Sequence, residues 1–315
     1  MLRSRLASRL ASRRLWLVMA GLAAVAVIGV AAFFLFRPKT LLDTGPLNLP
    51  GIPDAPAQGE EVLLAVGDIG FCGHQADDRV AELAAGLPGT IALLGDTVYP
   101  EATADTLRDC LQPAWGPMRE RIRPIPGNHD YVGGNAGAWF DFFGEAAGEP
   151  GEGWYSYALG DWHVVALNSV LCTTDAGCGP GTPQHDWLVD DLREADAECV
   201  LAYWHHPLVS SGRHGPVPEV RPLWDAVLEA GVDLTLHGHD HTYERLTVDG
   251  VTSFVVGTGG RSLYLWERDP LPETEVRHDS NYGLLYLVLG DGEFSWEFLP
   301  LGVTTFTDSG EGDCA

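Results

Sequence analysis

Residues 90–100 read TIALLGDTVYP. The run from Thr90 to Leu94 lacks the polar alternation of a half-exposed strand, and Gly95 and Asp96 end it abruptly. A short unbroken apolar run of this kind suits a strand buried on both faces, as in an α/β architecture where other layers cover the sheet. Asp96 then stands at the carboxyl end of the strand, where open α/β sheets gather their ligands. Tyr99, three residues on, puts a phenol beside that carboxylate.

The pattern recurs along the chain. The apolar run 62–66 leads into Gly67-Asp68, and RPIP (123–126) leads into Gly127-Asn128-His129-Asp130. The run 199–203 leads into Trp204-His205-His206-Pro207, and the run 232–236 into His237-Gly238-His239-Asp240-His241. Apolar runs at 162–167, 254–256 and 282–289 complete the expected strands. Helical periodicity covers 76–85, 102–111, 184–195 and 220–230, so strands and helices alternate as an α/β fold requires. The glycine-rich connection 133–153 carries Phe140, Phe142 and Phe143 and is expected to pack as a wall or lid near the site.

Five strand ends thus deliver carboxylates, an amide and imidazoles to one edge. Each piece alone is ordinary, since a Gly-Asp pair is a common turn. Together, and in this order, they read as a metal centre. Oxygen and imidazole donors without thiolate suit iron, manganese and zinc, and their number is enough for two ions. Two ions held by a shared aspartate form a clamp for displacement at phosphorus.

The blocks GDIG, GDTVY, GNHD, AYWHHP and GHDH together resemble the motifs of calcineurin-like metallophosphoesterases, in particular the purple acid phosphatase branch. The resemblance runs from about residue 62 to residue 300. It implies a β-sandwich flanked by helices (α/β/β/α) and a phosphomonoesterase that uses a metal-bound hydroxide. Carried over position by position, Asp68, Asp96, Tyr99 and His241 would hold Fe3+, while Asp96, Asn128, His205 and His239 would hold Fe2+, Zn2+ or Mn2+. His129 falls on the substrate-phosphate histidine, and His214 resembles the histidine that contacts the phosphate or the leaving group. Most calcineurin-like enzymes have Asp-x-His in the first block, whereas Ile69 and Gly70 follow Asp68 here. Tyr99 is the residue that can replace the missing ligand. Of the pair in WHHP, His205 is taken as the ligand and His206 as a residue of the substrate pocket. His237 is read as structural and His163 as a satisfied core or edge histidine. A phosphodiesterase or nucleotidase on the same metals, and a catalytically silent binding ectodomain, are the competing readings.

Outside the site, the sequence is strongly divided. Residues 1–14 carry five arginines and no acid, and residues 15–36 are uncharged. At about 1.5 Å per residue that segment would span roughly 33 Å, close to the hydrocarbon thickness of a bilayer. It is therefore expected to be one transmembrane signal anchor, with a cleaved signal peptide as the alternative. The arginine bias places the N-terminus in the cytoplasm and the remainder outside. Residues 37–60 hold five prolines and read as a linker, residues 61–302 as the metallophosphoesterase domain, and residues 303–315 as an acidic tail. Beyond residue 40, 12 basic residues face 44 acidic ones, a balance that repels nucleic acid and favours a small phosphoester as substrate. Six cysteines in an extracytoplasmic body predict disulfides. Cys172–Cys178 is the easiest pair, and Cys72–Cys110 with Cys199–Cys314 would complete the set, although spacing leaves the connectivity open.

Overall fold

The computed structural model describes Pro53 and residues 56–314. The basic segment 1–14, the expected transmembrane segment 15–36 and most of the linker 37–60 lie outside the described residues. Among the described residues no helix is long and apolar enough to cross a membrane.

The strands are β1 (Glu61–Val66), β2 (Gly70–Phe71), β3 (Thr90–Leu94), β4 (Val98–Tyr99), β5 (Ile122–Ile125), β6 (Tyr155–Leu159), β7 (Trp162–Ala166) and β8 (Cys199–Tyr203). They continue with β9 (Leu234–His237), β10 (Tyr243–Val248), β11 (Val251–Val256), β12 (Thr274–His278), β13 (Gly283–Leu289), β14 (Glu293–Pro300) and β15 (Ser309–Asp313). The longer helices are α1 (Ala76–Ala85), α2 (104–115), α3 (Gly137–Phe143), α4 (Pro183–Glu194) and α5 (Arg221–Glu229). The middle of α2 is wound one residue wide, with the Gln112 N–H donating to the Leu107 carbonyl.

Two sheets form the frame. One has the order β15-β14-β13-β1-β3-β5 and the other β12-β10-β11-β9-β8-β7-β6. In the first, β1, β3 and β5 are parallel; in the second, β7, β8, β9 and β11 are. Successive side chains of a strand point to opposite faces, and both faces of β1 and β3 are covered. Val62, Leu64, Val66, Ile91 and Leu93 pack with Val80 and Leu83 of α1 and with Leu111, Trp115 and Trp139. Leu63, Ala65, Ala92 and Leu94 join Val164, Leu201, Leu234 and Phe254 of the second sheet. That sheet also shares its core with Leu188 of α4 and Leu223, Trp224 and Val227 of α5. The result is the expected α/β/β/α sandwich. Each fully buried leucine contributes about 1.5–3 kcal/mol, which is why the strands show no polar alternation.

Two expectations change. The connection 133–153 is not a lid, because α3 buries Trp139, Phe140 and Phe143 against the first sheet. The segment 303–315 does not trail free either. Strand β15 pairs antiparallel with β14, Asp308 accepts the Tyr243 hydroxyl and the Arg245 guanidinium, and Cys314 is bonded to Cys199. The other disulfides join Cys72 to Cys110 and Cys172 to Cys178, the three pairs expected.

Candidate metal centre

Strands β1, β3, β5, β8 and β9 end at one edge of the sandwich, and the loops that follow them carry the predicted ligands. Their backbones are forced into unusual shapes. Asp68, Asp96 and His239 have φ of 59°, 49° and 72°, a left-handed conformation that costs non-glycine residues roughly 1–3 kcal/mol each and clusters at functional sites. The neighbouring glycines are required by close approach. A Cβ on Gly127 would lie 2.2 Å from Asp96 Oδ1, one on Gly95 2.6 Å from His205 Nδ1, and one on Gly238 2.8 Å from Asp68 Oδ2.

The side chains converge in two sets. In the first, the Tyr99 hydroxyl lies 2.7 Å from Asp68 Oδ1, 2.8 Å from Asp96 Oδ2 and 3.1 Å from His241 Nε2. In the second, Asn128 Oδ1 lies 3.2 Å from His205 Nε2 and 3.1 Å from His239 Nδ1. His205 Nε2 is in turn 3.5 Å from Asp96 Oδ2. One oxygen, Asp96 Oδ2, therefore belongs to both sets. Its partner Oδ1 is held by the backbone N–H of His129 at 2.7 Å.

Hydrogen bonds on the outer side fix the tautomers. His205 Nδ1 donates to the Leu94 carbonyl at 2.7 Å, and His241 Nδ1 donates to the Ser262 carbonyl at 2.8 Å. A carbonyl only accepts, so each ring spends its Nδ1 proton there and turns Nε2 inward as the atom that a metal would take. Burial alone would push both carboxylates up. The hydrogen bond and charge of His241 bring Asp68 below the ordinary range, and the charge and hydrogen bond of His205 do the same for Asp96. Burial likewise works against a proton on His205, yet Asp96 and Asp68 hold its pKa up to about 9. His239 is pushed down to about 3 by burial and by His205. Burial and the two aspartates raise the Tyr99 phenol well above its usual range. These donors, two carboxylates, a phenol, an amide oxygen and three imidazoles, fit a pair of ions sharing Asp96.

The remaining predicted residues surround this centre. The His129 ring lies 4.3 Å from the Tyr99 ring, and its Nδ1 donates to the Pro100 carbonyl at 2.7 Å. The His214 ring is 4.5 Å from that of His239 and 5.5 Å from that of Tyr264. His206 is buried 4.5 Å from the His239 ring, and a ring nitrogen of each lies within 4.8 Å of the other and of His205. Ser169 Oγ accepts the His206 N–H at 3.0 Å and sits 2.9 Å from His206 Nδ1. His237 is buried against Trp204, away from the two sets, and His163 is paired with Asp191 at 2.7 Å.

Sequence reasoning passed over several supporting residues. Asp130, pushed up to about 7 by burial and by Asp96, accepts the N–H groups of Thr97 and Gly127 and ties two of the loops together. Asp240 accepts the Ser210 hydroxyl at 2.6 Å and the His214 N–H at 2.7 Å, so the loop bearing His214 is clamped by the loop bearing His239 and His241. Tyr264 stacks on His241 at 4.1 Å. Asp240 was visible inside GHDH, but its partners are 26 to 30 residues away and nothing local marks them.

Residues 62–243 match the family model described as calcineurin-like phosphoesterase. The chain is 28% identical over 173 residues to a probable purple acid phosphatase of Arabidopsis thaliana, covering 49% of this chain and 39% of that protein. It is 29% identical over 168 residues to acid phosphatase type 7 of Homo sapiens, covering 46% of this chain and 37% of that one. The chain thus spans well under half the length of these relatives. Its fold is similar to that of a purple acid phosphatase from yellow lupin (Lupinus luteus) seeds, with a TM-score of 0.61 at 17% identity over 78% of this chain and 52% of that chain.

Proposed function

Because the chain belongs to the calcineurin-like phosphoesterases, we propose that it hydrolyses phosphate esters at a two-metal centre, acting as a purple acid phosphatase-like phosphomonoesterase. The observation that carries this reading is Asp96 Oδ2, shared between the Tyr99 set and the Asn128 set. A phenol raised above its usual range yields its proton only to a strongly charged ion. This favours Fe3+ among Asp68, Asp96, Tyr99 and His241, with Fe2+, Zn2+ or Mn2+ among Asp96, Asn128, His205 and His239. Bound there, two ions would supply Lewis acidity and an activated water.

The chain's own residues do the rest. Asp96 sets the spacing of the two sets, and the His129 N–H keeps its carboxylate turned toward both. The His129 ring spends Nδ1 on the Pro100 carbonyl, so only Nε2 remains for a phosphoryl oxygen. His214, held through its backbone by Asp240, is the residue to protonate the leaving alkoxide. Three disulfides support placement in an oxidising compartment.

Hydrolysis of an aryl phosphate by metal-replete protein tests the reading. Asp96→Asn should remove a shared ligand and nearly all turnover, and His129→Ala should lower kcat about 10²–10⁴-fold. Unchanged rates in both variants would place the activity elsewhere. A visible absorption band that Tyr99→Phe leaves in place would remove the ferric tyrosinate from the account.

A further inference from the structure

Among the described residues Arg261 is the arginine whose guanidinium has a buried nitrogen without a partner, and it meets no carboxylate. Arg108, Arg193, Arg221 and Arg245 each reach one within 2.6–3.2 Å, and Arg121 donates to two backbone carbonyls. Among the described residues the only hydrogen bond from the Arg261 side chain runs from Nη1 to the hydroxyl of the adjacent Ser262, at 3.1 Å. Its Nε is buried without a partner. An unsatisfied buried donor is costly, more so on a charged group, and this one calls for a partner that the described residues do not supply.

The position of Arg261 says what that partner is. Its backbone N–H donates to the Asp68 carbonyl at 2.9 Å, which fastens it to the loop of a proposed metal ligand. The guanidinium carbon lies 5.2 Å from the centre of the Tyr99 ring and 5.0 Å from that of Phe71. Two aromatic contacts hold the cation without using its N–H groups, so the donor fork is pre-positioned at little entropic cost. The fork is one phenol ring away from the carboxylate pair that receives the Tyr99 hydroxyl. That offset is too far out for the phosphoryl group engaged by the two donor sets, and right for a group further along the same small molecule.

We propose that Arg261 binds a second anionic group of the substrate, a carboxylate or a second phosphate carried beyond the phosphoryl group that is hydrolysed. This rests on the phosphomonoesterase reading and narrows it to phosphate monoesters of small acids. A planar guanidinium matches either anion through paired N–H donors.

The test compares glycerol 3-phosphate with 3-phosphoglycerate, which differ by one carboxylate, on the metal-loaded protein. Wild type should favour 3-phosphoglycerate in kcat/KM by tenfold or more, the worth of one charge-assisted contact. In Arg261→Gln, checked for fold by circular dichroism and for metal content, the ratio should fall to within about twofold of one. Arg261→Lys, which keeps the charge and loses the fork, should fall between. A wild-type ratio near one, or a ratio that Arg261→Gln leaves unmoved, overturns the assignment. So does an equal loss on both substrates, which would place Arg261 on the shared phosphoryl group or in packing alone. Calorimetric binding of the two esters reads the same ratio without turnover. If neither ester is hydrolysed, the phosphomonoesterase reading fails, and the binding ratio still judges Arg261.

Discussion

Loading of the metal centre with Zn2+ should tighten as pH rises, with a break near pH 9 set by His205. In the metal-free protein burial opposes a charge on this ring, but Asp96, 3.5 Å away, and Asp68 hold its pKa up to about 9 against an ordinary 6.5. The imidazolium form therefore stabilises the metal-free fold fully below pH 6.5, and that contribution is lost as pH rises to about 9. The shift of roughly 2–3 units corresponds to about 3–4 kcal/mol. Asp96 runs the other way: held below the ordinary carboxylate range, its contribution is present above the ordinary pKa and lost as pH falls below it. An ion at His205 Nε2 must displace the proton, so the logarithm of apparent affinity should gain about one unit per pH unit from this residue between pH 6.5 and 9. That is a gain of two to three orders of magnitude, after which the slope should drop by about one. His239, held down to about 3, adds no slope in this window. Competition against a chelator of known pH dependence from pH 6 to 10 measures the curve, and His205→Asn should flatten it by one unit. A break at 6.5, or affinity indifferent to pH, would show that the His205–Asp96 pair does not exist as described.

Two further outcomes follow from packing. Gly127→Ala places a methyl carbon 2.2 Å from Asp96 Oδ1; the shared carboxylate must turn away, and bound metal should fall from two ions toward one by elemental analysis, with a stability loss of about 1–3 kcal/mol in thermal unfolding. Replacing Cys199 and Cys314 together by serine opens a link across 115 residues, which should cost about 3–5 kcal/mol and lower the thermal midpoint by roughly 5–15 °C; an unchanged midpoint would mean that this bond adds nothing to the stability of the fold.

The proposed ligands were legible because a Gly-Asp or Gly-Asn pair after an unbroken apolar run is a local signal. Asp68, Asp96, Asn128, His205, His239 and His241 all announce themselves within a few residues, and the structure brings each to the same edge. Tyr99 needed the contrast with Ile69 and Gly70, and its hydroxyl lies 2.7 Å from Asp68 Oδ1. What stayed hidden depends on distant pairs. The contact between Ser169 and His206 joins the loops that follow β7 and β8, and the guanidinium of Arg261 meets Tyr99 across 162 positions. The tail was misread for a related reason: Ser309–Asp313 is polar and glycine-rich, and only pairing with β14 and the bond to Cys199 make it a strand. The phenylalanines of 133–153 were rightly seen as packed, but hydrophobicity alone does not distinguish a core helix from a wall beside the site.

The claim on which everything else depends is that Asp96 joins two donor sets into one two-metal centre. Elemental analysis of purified, metal-replete protein, expressed as ions per polypeptide, tests it most directly. Two ions per chain are expected in the wild type and fewer in Asp96→Asn; a wild-type protein that binds one ion or none, or an Asp96→Asn variant that still holds two, would refute the shared-aspartate centre.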